Sequence, residues 1–500
     1  MNYVPPKAEL PEKPMQFAAL IGGTFVKPSE REIITRENPA HGAVVSHYPH
    51  STPEDVKQAV AAARKAADSG VWSRMPGKER HRILARVAQL IDKHREELAL
   101  IETLEGGKPI ANTDGEIQSS IDNWEYGATL ARHMYGDTYD SLEDGRIGLT
   151  FREAIGVIGM ITPWNYPLGA VSQKLPFALA AGNCAVIKPS EMTSGTALRL
   201  GELLLEAGLP EGVVNIVAGY GADVGQVIVE NMDVDMISFT GSTRVGRTIG
   251  RIAGETLRRV SLELGGKSAQ VVFADCDIQQ AARGVAAGIT NGTGQACNAG
   301  SRLLVERKIA EEFRDAVFEQ MKKVRVGDPF DPATQIGPVI SKTQLERITD
   351  YVEAGQKEGA KARQAEFSNP ALAEKGYYVR PTLFTDVKPG MKIEQEEIFG
   401  PVLATMDFDT PEEALRIANG THYGLYGGVW TKNIDKAMTF VRHMNAGVVE
   451  INGYQNGSPE LPLSGFKESG IGHEKGRHSL DEYSEIKTVQ ITLTPVATHG

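Results

Sequence analysis

Ile155-Gly156-Val157-Ile158-Gly159-Met160-Ile161 is the first of several short apolar runs separated by stretches of helical character. Further runs lie at residues 184–187, 213–217, 236–239 and 260–264, with helical patterns between them at 193–207 and 221–230. The runs are apolar throughout rather than alternating, as strands buried on both faces are. Strand–helix alternation of this kind predicts a parallel α/β sheet. A second series follows at residues 268–272, 302–305, 402–407, 427–431 and 447–451. The chain therefore reads as α/β, with two α/β domains meeting near Gly265-Gly266.

N-terminal to this region, short strands are expected around residues 17–21 and 42–45. Thr52-Pro53-Glu54-Asp55 opens a helix, with Thr52 as cap and Pro53 in the first turn. Residues 78–105 read as a helix pair with Leu84, Val87, Leu90 and Ile91 at helical spacing. Gly106-Gly107 stops it, and a third helix covers 117–133. Residues 138–151 read as a hairpin turning at Glu143-Asp144-Gly145. At the far end, residues 483–494 alternate like a strand. A lone terminal strand needs a partner, and either the hairpin or a neighbouring subunit would serve.

Five hundred residues with 41% hydrophobic and 23% charged side chains describe a soluble globular chain with a large core. A net charge of −11 argues against nucleic acid or an anionic membrane as the main partner. Residues 1–14 lack the apolar stretch of a secretory signal, and no apolar run is long enough to span a membrane. Cys184, Cys276 and Cys297 show neither a CxxC pair nor a zinc spacing. A reducing compartment, the cytoplasm, is expected, with no metal site.

One cysteine stands apart. In Asn291-Gly292-Thr293-Gly294-Gln295-Ala296-Cys297-Asn298, small and amide residues surround Cys297 and let the backbone approach a ligand closely. A thiolate there is a nucleophile candidate, although most single cysteines are inert core residues. Thr162-Pro163-Trp164-Asn165 follows a strand, and the Asn165 amide suits an oxyanion. Glu263, in Leu262-Glu263-Leu264-Gly265-Gly266-Lys267, is a general-base candidate. Three signals at successive strand ends point to a dinucleotide: Gly219 to Gly225, Phe239-Thr240-Gly241-Ser242 before a helix, and Lys188-Pro189-Ser190-Glu191. Each alone is matched by an ordinary turn or a capped helix. Glu191 would bond both ribose hydroxyls and repel a 2′-phosphate, which predicts NAD over NADP.

Gly-Gln-Ala-Cys at Cys297, Leu-Glu-Leu-Gly-Gly-Lys at Glu263, Pro163-Trp164-Asn165, Phe239-Thr240-Gly241-Ser242 and Glu397-Ile398-Phe399-Gly400-Pro401 together resemble the NAD(P)-dependent aldehyde dehydrogenase superfamily, in its order and over nearly the whole chain. The resemblance implies that Cys297 attacks an aldehyde to give a thiohemiacetal, which yields a hydride to the nicotinamide and becomes a thioester. Asn165 and the Cys297 backbone N–H would hold the oxyanion, and Glu263 would activate the hydrolytic water. CoA-acylating members lack an acid at that position, so water is the implied acceptor. The implied cofactor residues are Ile161, Thr162, Trp164, Lys188, Glu191, Gly221, Phe239, Gly241, Ser242, Val245, Leu264, Glu397 and Phe399. The implied architecture is a Rossmann-like NAD-binding domain (1–134 and 155–265), a catalytic domain (266–475) and a β oligomerisation element (135–154 and 476–500). Homodimers or homotetramers are usual in the family.

Departures from the pattern touch the substrate. Many broad-specificity members carry tryptophan where this chain has Gln173, and several carry phenylalanine near Gly457. Asn298 follows the nucleophile, and Pro462-Leu463-Ser464-Gly465 replaces a commoner phenylalanine and double glycine. An aromatic-poor, amide-rich funnel favours a small polar aldehyde, hydroxylated or anionic. Two other classes share parts of the pattern. A cysteine-dependent esterase or thioesterase would explain Cys297 and Glu263 but not the nucleotide signals. A non-catalytic structural protein of the same fold would have no need of either residue.

Overall fold

A computed structural model describes residues 5–367 and 369–494; the extreme ends of the expected terminal spans, residues 1–4 and 495–500, lie outside the described residues. The five apolar runs form the parallel strands Val157–Ile161, Cys184–Lys188, Val214–Ile216, Met236–Thr240 and Arg259–Glu263. They occupy the middle of an eight-stranded sheet. Most of their residues are fully buried, which is why they carry no polar alternation. The chain starts this core at Val157–Ile161, adds two strands on one side, then crosses to Met236–Thr240 on the other. The reversal places a switch point between those two strands, and in open α/β sheets ligands bind outside the carboxyl ends of the strands at such a point. Short antiparallel strands finish both edges: Ala19–Ile21 with Thr24–Val26 on one, Gly470–Ile471 on the other.

The second series forms a seven-stranded sheet in the order Lys361–Gln364, Thr382–Thr385, Val402–Phe408, Arg302–Glu306, Ala269–Val272, Tyr426–Trp430, Val448–Ile451. All pairings are parallel except that of Lys361–Gln364. Two of its strands were not expected from the sequence. Lys361–Gln364 is a polar edge strand with no buried side chain, and Thr382–Thr385 is only four residues long.

The helix opening at Thr52 forms as Pro53–Ser69, with a capping box between Thr52 and Asp55. The expected pair is Gly77–Lys93 and Arg95–Gly106, ended by Gly107 at φ 71°. The third helix differs: it spans Ile110–Leu130, beginning directly after Pro109. Gly115 lies within it on the exposed side. Residues 221–230 also differ, dividing into a wide turn at Gly221–Gly225 and a short helix, Gln226–Glu230.

The alternating tail is the strand Ser484–Thr492. It pairs antiparallel along its whole length with Arg146–Ala154, whose other side takes Thr138–Tyr139. The turn forms where expected, with Arg146 N–H donating to the Glu143 carbonyl at 3.0 Å. No helix among the described residues is long and apolar enough to cross a membrane.

Candidate active site

Three chain segments converge around Cys297. The first leaves the sheet after Ile161. Thr162 N–H bonds the Lys188 carbonyl at 3.1 Å, extending the ladder by one residue before Pro163 ends it. Asn165 is buried, and its side-chain amide donates to the Gln295 carbonyl at 2.9 Å. The second segment is the cysteine loop itself. Gly292, Thr293 and Gly294 all take left-handed conformations, at φ 57°, 59° and 68°. A Cβ on Gly294 would lie 2.3 Å from the Gly400 carbonyl carbon, so no side chain fits. Gln295 anchors the loop by accepting the Ile340 N–H at 3.0 Å.

The third segment follows the strand Arg259–Glu263. A Cβ on Gly266 would fall 2.3 Å from the Cys297 carbonyl oxygen, so the two loops meet backbone to backbone. Glu263 is the last residue of its strand and is buried, and its Oε1 has no hydrogen-bond partner among the described residues. Burial pushes its carboxyl up to about 8, against the pull of Lys174 and Lys475. The Cys297 thiol is pushed up to about 12, by burial first and then by the charges of Glu263 and Glu397. Thiol and acid therefore share one electrostatic site. At neutral pH both the thiol and the Glu263 carboxyl are held mainly protonated, and the carboxyl becomes a base as the pH rises towards 8.

The residues assigned to the cofactor gather around the switch point. Lys188 Nζ lies 3.5 Å from the Glu191 carboxylate and donates to the Pro189 carbonyl. Gly225 backs this lysine, and a Cβ there would also touch Ile161. Gly221 is exposed at the start of its turn, whereas Gly219 packs against Val224 and His50. Phe239 is the penultimate residue of the neighbouring strand, and its ring fills the space a side chain on Gly241 would need. Ser242 caps the helix Thr243–Glu255 by accepting the Val245 N–H, and Leu264 packs on Gly246 of that helix. Across the crevice, Glu397 accepts the Gly266 N–H at 3.0 Å. Phe399 holds a left-handed φ of 63° and meets Trp164 edge to face, with centroids 5.3 Å apart.

These residues fit a dinucleotide. The Thr162 and Thr240 hydroxyls at two adjacent strand ends are buried without hydrogen-bond partners among the described residues. Beside them lie a capped helix N-terminus, a lysine–glutamate pair and an open aromatic edge. Of the funnel residues, Asn298 accepts a hydrogen bond from Gln455 through its side chain (3.2 Å) and from the Tyr454 hydroxyl through its carbonyl (2.9 Å). Gln173 ends the short helix Pro167–Ser172. Gly457 is exposed, and Gln455 is the member of its loop bonded to Asn298.

Sequence reading missed the ion pair of Lys174 with Glu474, both buried. The signal was present: Lys174 is a lone charge in the apolar stretch from Val171 to Ala181, where a charge needs a partner. Lys475 gave no local signal, and Gln295, singled out among the amides around Cys297, anchors the cysteine loop to Ile340.

The aldehyde dehydrogenase family profile matches residues 25–489. Aldehyde dehydrogenase 1A1 of Gallus gallus is 43% identical over 91% of this chain and 89% of its own. The NADP/NAD-dependent aldehyde dehydrogenase PuuC of Escherichia coli (strain K12) is 39% identical over 95% of both chains. The crystal structure of an NAD-dependent aldehyde dehydrogenase from Sinorhizobium meliloti superposes with a TM-score of 0.93 at 46% identity, covering 97% of this chain and 96% of that one. With its two sheets, its cysteine loop and its switch-point crevice in place, the chain belongs to the aldehyde dehydrogenase family, enzymes that oxidise aldehydes with a nicotinamide cofactor.

Proposed function

We propose that Cys297, Glu263 and Asn165 carry out the oxidation of a small polar aldehyde to its carboxylic acid. The observation that carries this reading is the unpartnered Glu263 carboxyl oxygen in the same electrostatic site as the Cys297 thiol. Cys297 passes its proton through water to solvent as its sulfur bonds the aldehyde carbon, leaving a thiohemiacetal oxyanion. The second N–H of the Asn165 amide and the backbone N–H of Cys297 stabilise that oxygen, while the bond to Gln295 holds the amide in place. A bound nicotinamide cofactor supplies the hydride acceptor that turns this adduct into a thioester. Glu263 then takes a proton from water as its oxygen attacks the thioester carbon, and the carboxylic acid leaves as the thiol is restored.

NAD is the preferred cofactor in this reading. Glu191 presents a carboxylate beside Lys188, at the end of the strand Cys184–Lys188. The adenosine ribose would meet these two residues, and a 2′-phosphate would meet a like charge. Ile161, Thr162, Trp164, Gly221, Phe239, Gly241, Ser242, Val245 and Leu264 line the rest of the nucleotide crevice, with Glu397 and Phe399 on the nicotinamide side. Gln173, Asn298 and the loop at Gly457 shape the funnel. Residues 1–134 and 155–265 act as the NAD-binding domain and 266–475 as the catalytic domain. Residues 135–154 and 476–500 join subunits into a homodimer or homotetramer.

The test is NADH absorbance with purified protein, NAD and a panel of polar and apolar aldehydes, alongside Cys297→Ala. NADH from the intact protein alone is expected, fastest with short polar aldehydes. Ester hydrolysis dependent on Cys297, with no NADH from any aldehyde, would replace the dehydrogenase by a cysteine esterase. A tenfold preference for hexanal or benzaldehyde would overturn the substrate class.

A further inference from the structure

Lys475 is the charged residue the mechanism leaves unused. It lies between Glu474 and Gly476 in a strained turn, with φ 58° at the lysine itself, a left-handed conformation that a non-glycine residue adopts at a cost. The turn is clamped to the funnel loop. Leu463 and Glu474 exchange both backbone hydrogen bonds at 2.8 Å, and Gly476 N–H bonds the Pro459 carbonyl at 2.8 Å. The clamp brings Lys475 Nζ to the Ser458 carbonyl at 3.3 Å. Among the described residues this is its one hydrogen bond, and no carboxylate lies within ion-pair distance. An ammonium has three donors, so two remain free.

The ammonium lies beside Gly457, one of the positions assigned to the funnel. Gly457 is open, and chain neighbours apart, Lys475 Nζ is the only described heavy atom within 4 Å of where its Cβ would be, at 3.9 Å. Two residues before Gly457, Gln455 bonds the Asn298 side chain next to the nucleophile. On the other flank, Glu474 pairs with Lys174, the residue after Gln173. The three funnel positions Gln173, Asn298 and Gly457 thus converge on the turn that carries Lys475. The charge of Glu263 acts on both Cys297 and Lys475, so the acid that serves the thiol also feels the ammonium. The other nearby acid, Glu460, is engaged by the Ser458 hydroxyl.

We propose that Lys475 is the anchor for a carboxylate at the far end of the aldehyde, so that the substrate class is the short ω-oxo acids. Gly457 leaves the room in which that carboxylate sits. This inference rests on the dehydrogenase reading above and names its substrate class.

The experiment compares 4-oxobutanoate and 5-oxopentanoate with butanal and pentanal, using the intact protein, Lys475→Gln and Lys475→Arg. The intact protein should favour the oxo acids by at least about tenfold in kcat/KM, the value of one charge-assisted hydrogen bond. Lys475→Gln should lower kcat/KM for the oxo acids about ten- to a hundredfold more than for the uncharged aldehydes, with the difference in KM, and Lys475→Arg should largely rescue it; any loss shared by both classes reports the pull of the ammonium on Glu263. Succinate should inhibit the intact protein competitively with butanal while butanamide does not, a readout that needs no variant. Equal kcat/KM for the two classes, or an equal loss for both with KM unmoved, overturns the proposal; the second result would make Lys475 a residue that acts only through Glu263. Turnover of butanal without preference for the oxo acids removes this inference alone. No NADH from any of the four removes the dehydrogenase reading beneath it.

Discussion

At the scale of single residues, the site is governed by what burial does to two protons. Glu263 accepts a proton only as a carboxylate, and burial moves its ionisation up to about 8. Below that pH the carboxyl is protonated and cannot act as a base. Hydrolysis of the thioester should therefore rise about tenfold per pH unit well below 8 and level off above it. Glu263→Gln should flatten this limb, slow steady-state turnover by about 10²–10⁴-fold, and leave an initial burst of NADH, because the thioester still forms. Stopped-flow absorbance from pH 6 to 9 measures both. A burst absent from the variant would move Glu263 to the first step. Gly266 tests the geometry rather than the charge. Gly266→Ala would push a methyl against the Cys297 carbonyl oxygen, 2.3 Å away, and both partners are backbone. The variant should lose about 1–3 kcal/mol in urea unfolding and most of its turnover.

At the scale of elements, function depends on what stands at the ends of strands. Lys188 closes one strand and Glu191 follows it, Thr162 and Asn165 follow another, Thr240 closes a third with Ser242 after it, and Glu263 closes a fourth. The strands themselves were legible in the sequence because burial on both faces writes a continuous apolar run. The site was legible where chemistry excludes ordinary residues, as at Gly294, Gly266 and Cys297. Lys361–Gln364 was not, because an edge strand with no buried side chain has nothing to encode. Lys475 was not, because its meaning comes from a clamp between residues 458–463 and 474–476 that no local pattern announces. The Glu191 strand end carries its own prediction. Replacing the carboxylate by Glu191→Ala removes the charge facing a 2′-phosphate, and the ratio of kcat/KM for NADP to that for NAD should rise by about tenfold or more. An unchanged ratio would place cofactor choice elsewhere in the crevice.

At the scale of the whole molecule, the sheet made by the tail leaves one edge open among the described residues. Ser484–Thr492 is an edge strand, and its outer side is unpaired among the described residues. Its register with Arg146–Ala154 sets Val489 opposite Leu149, Ile491 opposite Ile147 and Lys487 opposite Phe151. Directly opposed residues share a face, so Ile147, Leu149, Phe151, Val489 and Ile491 make one apolar surface, and none of the five is buried. A long open edge with an apolar face invites a second chain. A neighbouring subunit of the same protein meets both demands at once, which is how the family's oligomers would be built from this chain. Val489→Glu combined with Ile491→Glu places two charges on that face without touching the catalytic loops or the strand's backbone pairing. Light scattering coupled to size exclusion should show the intact protein as a dimer or tetramer and the double variant shifted towards monomer, with an unchanged far-ultraviolet circular dichroism spectrum. A double variant that keeps the intact protein's mass would mean that subunits meet on another surface, and the tail sheet would then serve only to tie the end of the chain to its own body.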